Sequence, residues 1–198
     1  TGPNANNQSI MGDWVFEQPE KNVSTILEGI KEEASGTQIN YVDVGWNMRA
    51  LDSAKIEEAI QTAKSSDLAI VIVGEDSFRQ HWKEKTCGEN RDRMDITLWG
   101  KQDYLVESIY KTGVPTIVIL INGRPLATRW IAENIPAVIE AWEPGSMGGK
   151  AIAEILFGKV NPSGKLPITI PRHVGQISTV YNHKPVSYTH LRAHETDQ

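Results

Sequence analysis

The chain has 198 residues, of which 39% are hydrophobic, and a formal net charge of −5 with a pI near 5.6. That supports one folded α/β domain with a proper core and argues against a disordered chain. No Lys/Arg block runs along any segment, which speaks against a nucleic-acid partner, and no apolar run approaches the ~20 residues that a membrane helix needs.

Helix-like and strand-like patterns then alternate along the chain. Val23 to Glu33 reads as a helix with Ile26, Leu27 and Ile30 on one face, and Ile39 to Val44 as a strand. Asp52 or Ser53 can cap a helix that places Ile56, Ala59, Ile60 and Ala63 on one side. Leu68 to Val73 is a continuous apolar run ending at Gly74, as expected of a strand covered on both faces. After a long charged loop to about Thr97, the residues Leu98, Gln102, Leu105, Val106 and Ile109 mark a helix stopping near Gly113. Strands are expected at Thr116 to Ile121, Ala137 to Glu140 and Leu166 to Ile170, with a helix over Gly148 to Phe157 before the last. Repeated strand–helix–strand units imply a mostly parallel sheet with helices on both faces, a three-layer α/β sandwich.

The ends of the chain read differently from its body. Thr1-Gly2-Pro3-Asn4 is neither an initiator Met nor a signal region, so the true N-terminus is expected to be missing. Val186 to Thr196 continues no pattern and resembles a translated cloning or sequencing adapter. Residues 1–185 are therefore taken as the domain, and 186–198 as a non-native tail expected to carry no structure. His190 and His194 in that tail have metal-pair spacing but lack the Glu of a zinc-protease motif.

Sites in open parallel sheets lie at the carboxyl ends of the strands. The strand ending at Gly74 delivers the chain into a loop carrying Glu75, Asp76, Arg79, His81, Trp82, Glu84, Glu89, Arg91, Asp92, Arg93 and Asp95. Carboxylates, an indole and guanidiniums together suit a sugar, supplying proton transfer, a ring platform and donors to hydroxyls. The same composition also suits a solvated loop of surface ion pairs, and residue types alone favour that plainer reading. Other signals fail their tests. Gly148-Gly149-Lys150 lacks the upstream Gly and the following Ser/Thr of a phosphate loop, and reads as close packing at a helix start. Asn122-Gly123-Arg124-Pro125 could line a site, although a turn is the commoner meaning. No dinucleotide fingerprint or G-x-S-x-G elbow is present, and the lone Cys87 excludes an internal disulfide or a cysteine-built zinc site.

Five segments, in order, resemble family 3 glycoside hydrolases. They are Gly88-Glu89-Asn90-Arg91-Asp92-Arg93 through Leu98, Gln102 and Leu105 of the helix after it, Val118 through Asn122-Gly123-Arg124-Pro125, Ala141-Trp142-Glu143-Pro144-Gly145 through Ala153, and Leu156-Phe157-Gly158 through Pro167, and the flanking pieces Asp13-Trp14 and Tyr181-Asn182-His183-Lys184 fit as well. The likeness covers about residues 1–185. It implies a retaining β-glucosidase or β-xylosidase whose N-terminal barrel supplies an Asp nucleophile, while this domain, starting after the sandwich's first strand, supplies the general acid/base. By motif position that residue is Glu89, with Glu75 at the strand end as its rival on residue chemistry alone. Trp82 and Arg93 are candidate substrate-binding residues.

The resemblance implies neither metal nor cofactor, a β-linked oligosaccharide or aryl glycoside as substrate, and a periplasmic or secreted setting. In retaining hydrolysis the two carboxyl groups sit about 5–5.5 Å apart. The acid must hold its proton at working pH, so Arg91 and Arg93 are expected to pair with Asp92 or Asp95, or to bind sugar hydroxyls, rather than touch Glu89. The alternatives are a phosphorylase of the same family and a non-catalytic sugar- or nucleotide-binding module.

Overall fold

The computed structural model describes residues 1–176. The expected tail and its two histidines lie outside that range. Three strands form a parallel sheet in the order β1 (Ala69–Gly74), β2 (Thr116–Ile121), β3 (Ala137–Glu140). Their β-branched sequences Ala-Ile-Val-Ile-Val and Thr-Ile-Val-Ile-Leu-Ile suit a pleat buried on both sides. Among the described residues five α-helices surround them: α1 (Ile26–Glu33), α2 (Ser53–Lys64), α3 (Gln102–Tyr110), α4 (Arg129–Asn134) and α5 (Gly148–Leu156).

Alternation along the strands splits the core in two. Val71, Val73, Val118 and Leu120 face α2 and α3 and pack with Ile56, Ile60, Leu105 and Ile109. Ile72, Ile119 and Ile121 face the other way, onto Ile26 and Ile30 of α1 and Ile152 of α5. The molecule is therefore the expected three-layer sandwich, helices–sheet–helices. α1 begins at Ile26 and α3 at Gln102, three and four residues after the starts expected at Val23 and Leu98. Thr25 and Glu28 form a reciprocal capping box on α1, and of the two candidates for α2 it is Asp52 that caps, accepting from the N–H groups of Ala54 and Lys55.

α1 and α5 cross at glycines. A Cβ at Gly149 would run into the carbonyl oxygens of Ser24 and Thr25, and one at Gly29 into the carbonyl of Gly149. The paired glycines that failed as a phosphate loop thus serve close packing at a helix start, as expected: Gly149 against backbone, and Gly148 against the Pro144 ring. Gly149→Ala should lower stability by about 1–3 kcal/mol through overpacking. Gly164→Ala, with open space around it, should change little. Equal midpoints for the two variants in urea would refute this reading.

Two expected strands do not form. Residues 39–44 do alternate, with Val42 and Val44 in one core and Ile39 and Tyr41 against the other, yet their backbone pairs with no strand. The edge of β1 that faces them is met instead by Thr1, whose amino group donates to Ile70 O (3.1 Å) and whose carbonyl accepts from Ile72 N (2.9 Å). Thr1 Oγ1 reaches across to Val42 O (2.7 Å), and a cavity of about 480 Å³ is lined by Thr1, Ile39 to Val42 and Leu68 to Ile70. Residues 166–170 form no ladder either, and leave Leu166 and Ile168 exposed.

Candidate active site

β1, β2 and β3 end in register, Gly74 beside Ile121 and Leu120 beside Glu140. Glu75, Asn122 and Glu140 therefore arrive together at one edge of the sheet. Gln102, fully buried at the start of α3, pins that edge by a two-way amide bond. It accepts from Gly74 N (2.8 Å) and donates to Gly74 O (3.0 Å).

The loop that follows is not a solvated run of surface charges. Its chain doubles back so that Asp76 O accepts from the N–H groups of Thr86 (2.7 Å) and Cys87 (3.3 Å), while Thr86 Oγ1 accepts from Asp76 N (3.0 Å). Asp76, Ser77, Lys85 and Thr86 are all buried. Asp76 also accepts from Phe78 N and lies 2.6 Å from His81 Nδ1, and the His81 ring stacks on Trp46 at 4.0 Å.

The structure separates the two candidate acids. The Glu75 carboxylate has no exposure, and it meets Arg93 Nη1 at 2.9 Å and Arg124 Nε at 3.3 Å. Burial pushes its carboxyl above the usual range, and the two guanidiniums oppose that shift. Glu89 keeps 40% of its side chain exposed, and its Oε2 accepts from Arg79 Nη1 at 3.2 Å. Arg91 and Arg93 do not touch it, as expected, but neither pairs with Asp92 or Asp95. Arg91 donates to the carbonyls of Trp82 and Asn90. Arg93 is nearly buried, gives its second amino group to Thr97 O (2.6 Å), and lies over the Trp99 ring. Asn122-Gly123-Arg124-Pro125 does line this region, since Arg124 reaches both Glu75 and the carbonyl of Arg91.

Trp82 stays 41% exposed, with Lys85 Nζ 4.3 Å from its ring centre and Arg79 and Arg91 nearby. Trp14, 74% exposed, has Arg79 Cζ 4.3 Å from its ring centre. Sequence reasoning left Lys85 out of the site, and took Asp13 and Trp14 only as marks of family likeness. Asp13 lies 76 residues upstream of Glu89, and no local pattern links the two.

Glu140 adds a titrating group at the same edge. Burial pushes its carboxyl up to about 7, opposed by hydrogen bonds from Trp142 N and Asn122 Nδ2. The folded state then holds a proton that the unfolded chain has released. Its contribution is complete below about pH 4.5 and is lost as pH rises through about 7. The loss is on the order of 3 kcal/mol. Urea titrations of the wild type should show that decline, and Glu140→Gln should flatten it; identical pH profiles would refute the assignment.

Among the described residues no group of three or more His, Cys, Asp or Glu side chains is placed to hold a metal ion, and no helix is long and apolar enough to cross a membrane.

The chain as a whole is similar to known proteins. The sequence pattern of the glycosyl hydrolase family 3 C-terminal domain matches residues 1–197. A β-xylosidase of Formosa agariphila is 44% identical over 162 residues, which is 81% of this chain and 21% of the relative. A periplasmic β-glucosidase of Salmonella typhimurium is 35% identical over 203 residues, 92% of this chain and 26% of the relative. A solved β-glucosidase from Listeria innocua in complex with isofagomine superposes with a TM-score of 0.78 at 30% identity, over 92% of this chain and 24% of that one. The chain thus spans about a quarter of the length of these relatives.

Proposed function

We propose that this chain, which belongs to glycosyl hydrolase family 3 through its C-terminal domain, is the acid/base half of a retaining β-glycosidase acting on terminal β-glucosides or β-xylosides. The observation that carries the reading is the contrast between the two carboxylates. Glu89, at the position of the family's acid, is open to solvent and pairs with Arg79, which lies over two exposed indoles, whereas Glu75 is enclosed between two guanidiniums. A carboxyl that must reach a glycosidic oxygen cannot be the enclosed one.

In this reading an Asp on the barrel attacks the anomeric carbon while Glu89 gives its proton to the departing oxygen. Glu89, now ionised, next takes a proton from the water that attacks the glycosyl-enzyme and releases the sugar. The Arg79 contact belongs to that ionised form. Trp82 offers the sugar a ring face. Arg93, with two of its nitrogens engaged by Glu75 and Thr97, supports the site from behind instead of binding hydroxyls.

In this reading the nucleophile lies on a barrel elsewhere in the enzyme, as the family likeness implies. A lone general acid contributes only about 10²–10⁴-fold. The 198-residue chain alone should therefore turn over aryl β-glucosides no faster than its Glu89→Gln variant, while the enzyme with its barrel should hydrolyse them. Turnover by the isolated chain well above that variant would overturn the division of labour.

A further inference from the structure

We propose that Asp13 is a positioning residue for Glu89 and that the buried Lys85 is there to hold it. The proposal rests on reading Glu89 as the acid/base. Asp13 Oδ2 accepts the backbone N–H of Glu89 at 2.6 Å, and both carboxylate oxygens lie 3.0 Å from Lys85 Nζ, an ammonium with no exposure. Asp13 Oδ1 is also 3.8 Å from Arg79 Nη1, the same nitrogen that meets Glu89 Oε2. Preceding Glu89, Gly88 has φ +86°, and a Cβ there would sit 2.6 Å from Asp13 Oδ2. The carboxylate is thus packed directly against the backbone of the turn that carries Glu89. One side chain fixes the acid's peptide by hydrogen bond and its carboxylate through a shared guanidinium.

This arrangement does more than fill a buried position. A buried Asp–Lys pair gains little stability over apolar side chains of similar volume, so a pair serving only the fold would be easily replaced. Here the Asp also reaches two groups that bear on Glu89. Glu89 alternates between carboxylic acid and carboxylate through the two half-reactions. While it carries the proton, Arg79 loses its anionic partner, and Asp13 is the second carboxylate within reach. Asp13 therefore holds Arg79 during the first step and shares it during the second. Without Asp13, Arg79 would favour only the ionised Glu89, and the protonating step would suffer most.

The test is an Asp13→Asn, Lys85→Met double variant of the barrel-containing enzyme. Removing both charges avoids leaving an orphaned ammonium inside the fold, and a folded state matching wild type by circular dichroism is the starting requirement. If the Asn single variant folds as well, it is assayed alongside. Hydrolysis of a disaccharide should fall by about 10–100-fold in kcat, the cost of a misplaced acid, with KM nearly unchanged. Cleavage of a dinitrophenyl glucoside, whose leaving group needs no proton, should retain most of its rate when read, for every variant compared, as the burst of phenolate in the first turnover. An equal loss on both substrates, or no loss on either, would overturn the proposal, since a purely structural defect lowers both together. Glu89→Gln run in parallel separates the two claims. If it shows the leaving-group split and the Asp13 variant does not, the positioning role fails and the acid stands. If Glu89→Gln shows no split, the acid reading fails.

Discussion

Replacing Glu89 by Gln in the enzyme that carries this domain with its barrel is expected to lower disaccharide hydrolysis by about 10²–10⁴-fold. Cleavage there needs a proton on an alcohol-like oxygen as the bond breaks, and Glu89 is the solvent-open carboxyl proposed as the acid. A dinitrophenolate departs without that help, so formation of the glycosyl-enzyme should survive far better. The second step then stalls, because the same side chain must take a proton from water. A burst of phenolate and a trapped covalent intermediate should follow. Azide needs no general base, and should restore turnover as a β-glycosyl azide. Glu75→Gln should show neither the leaving-group dependence nor the rescue, since its carboxylate lies between Arg93 and Arg124 with no exposure. If the two variants exchange these behaviours, the loop is right and the assigned acid wrong. Near-normal disaccharide hydrolysis by Glu89→Ala would remove the assignment altogether.

How much of this was legible in the sequence depends on what each signal reports. The runs that became β1 and β2 were readable because burial on both faces leaves no polar position to interrupt them. The Asp52 cap and the α1 face were readable because both follow from residues within one or two turns. α4 was missed: it has six residues, of which only Ile131 is buried, too few for a period to show. Residues 39–44 and 166–170 show the converse failure. Hydrophobic alternation reports which faces are covered, not whether a neighbouring backbone lies within reach to make a ladder.

The site divides the same way. The Glu75–Arg93–Arg124 cluster joins the ends of β1 and β2 with a loop, so the sequence showed its members without their pairing. Composition favoured a solvated loop because it counts charges and cannot see that Lys85 and Asp13 meet inside. The choice of Glu89 came from motif position. The structure supplies a physical distinction that the residues alone did not, one carboxylate open and the other enclosed.

The enclosed carboxylate carries a large expected effect on stability. Arg93→Ala should destabilise the fold by about 3 kcal/mol, at the low end of the range for breaking a buried ion pair, because Arg124 still holds one oxygen of Glu75. The cost arises from the poorly compensated charge that remains on Glu75, so it should vary with the ionisation of that carboxyl. Burial already pushes the Glu75 carboxyl upward, and removing Arg93 takes away one of the two cations opposing the shift. The folded variant can then relieve the charge by binding a proton. Its penalty should be smaller in mildly acidic buffer and grow as pH rises through the folded-state pKa, the direction required when the folded state binds the extra proton. Adding Glu75→Gln should recover much of the loss at neutral pH and abolish its pH dependence, a non-additivity that a double-mutant cycle in urea would read directly. Arg129→Ala, which breaks an exposed pair with Glu133, sets the baseline at about 0.3–0.5 kcal/mol. A penalty for Arg93→Ala no larger than that baseline, or one unchanged by Glu75→Gln, would mean that Arg93 does not hold a buried charge at the end of β1.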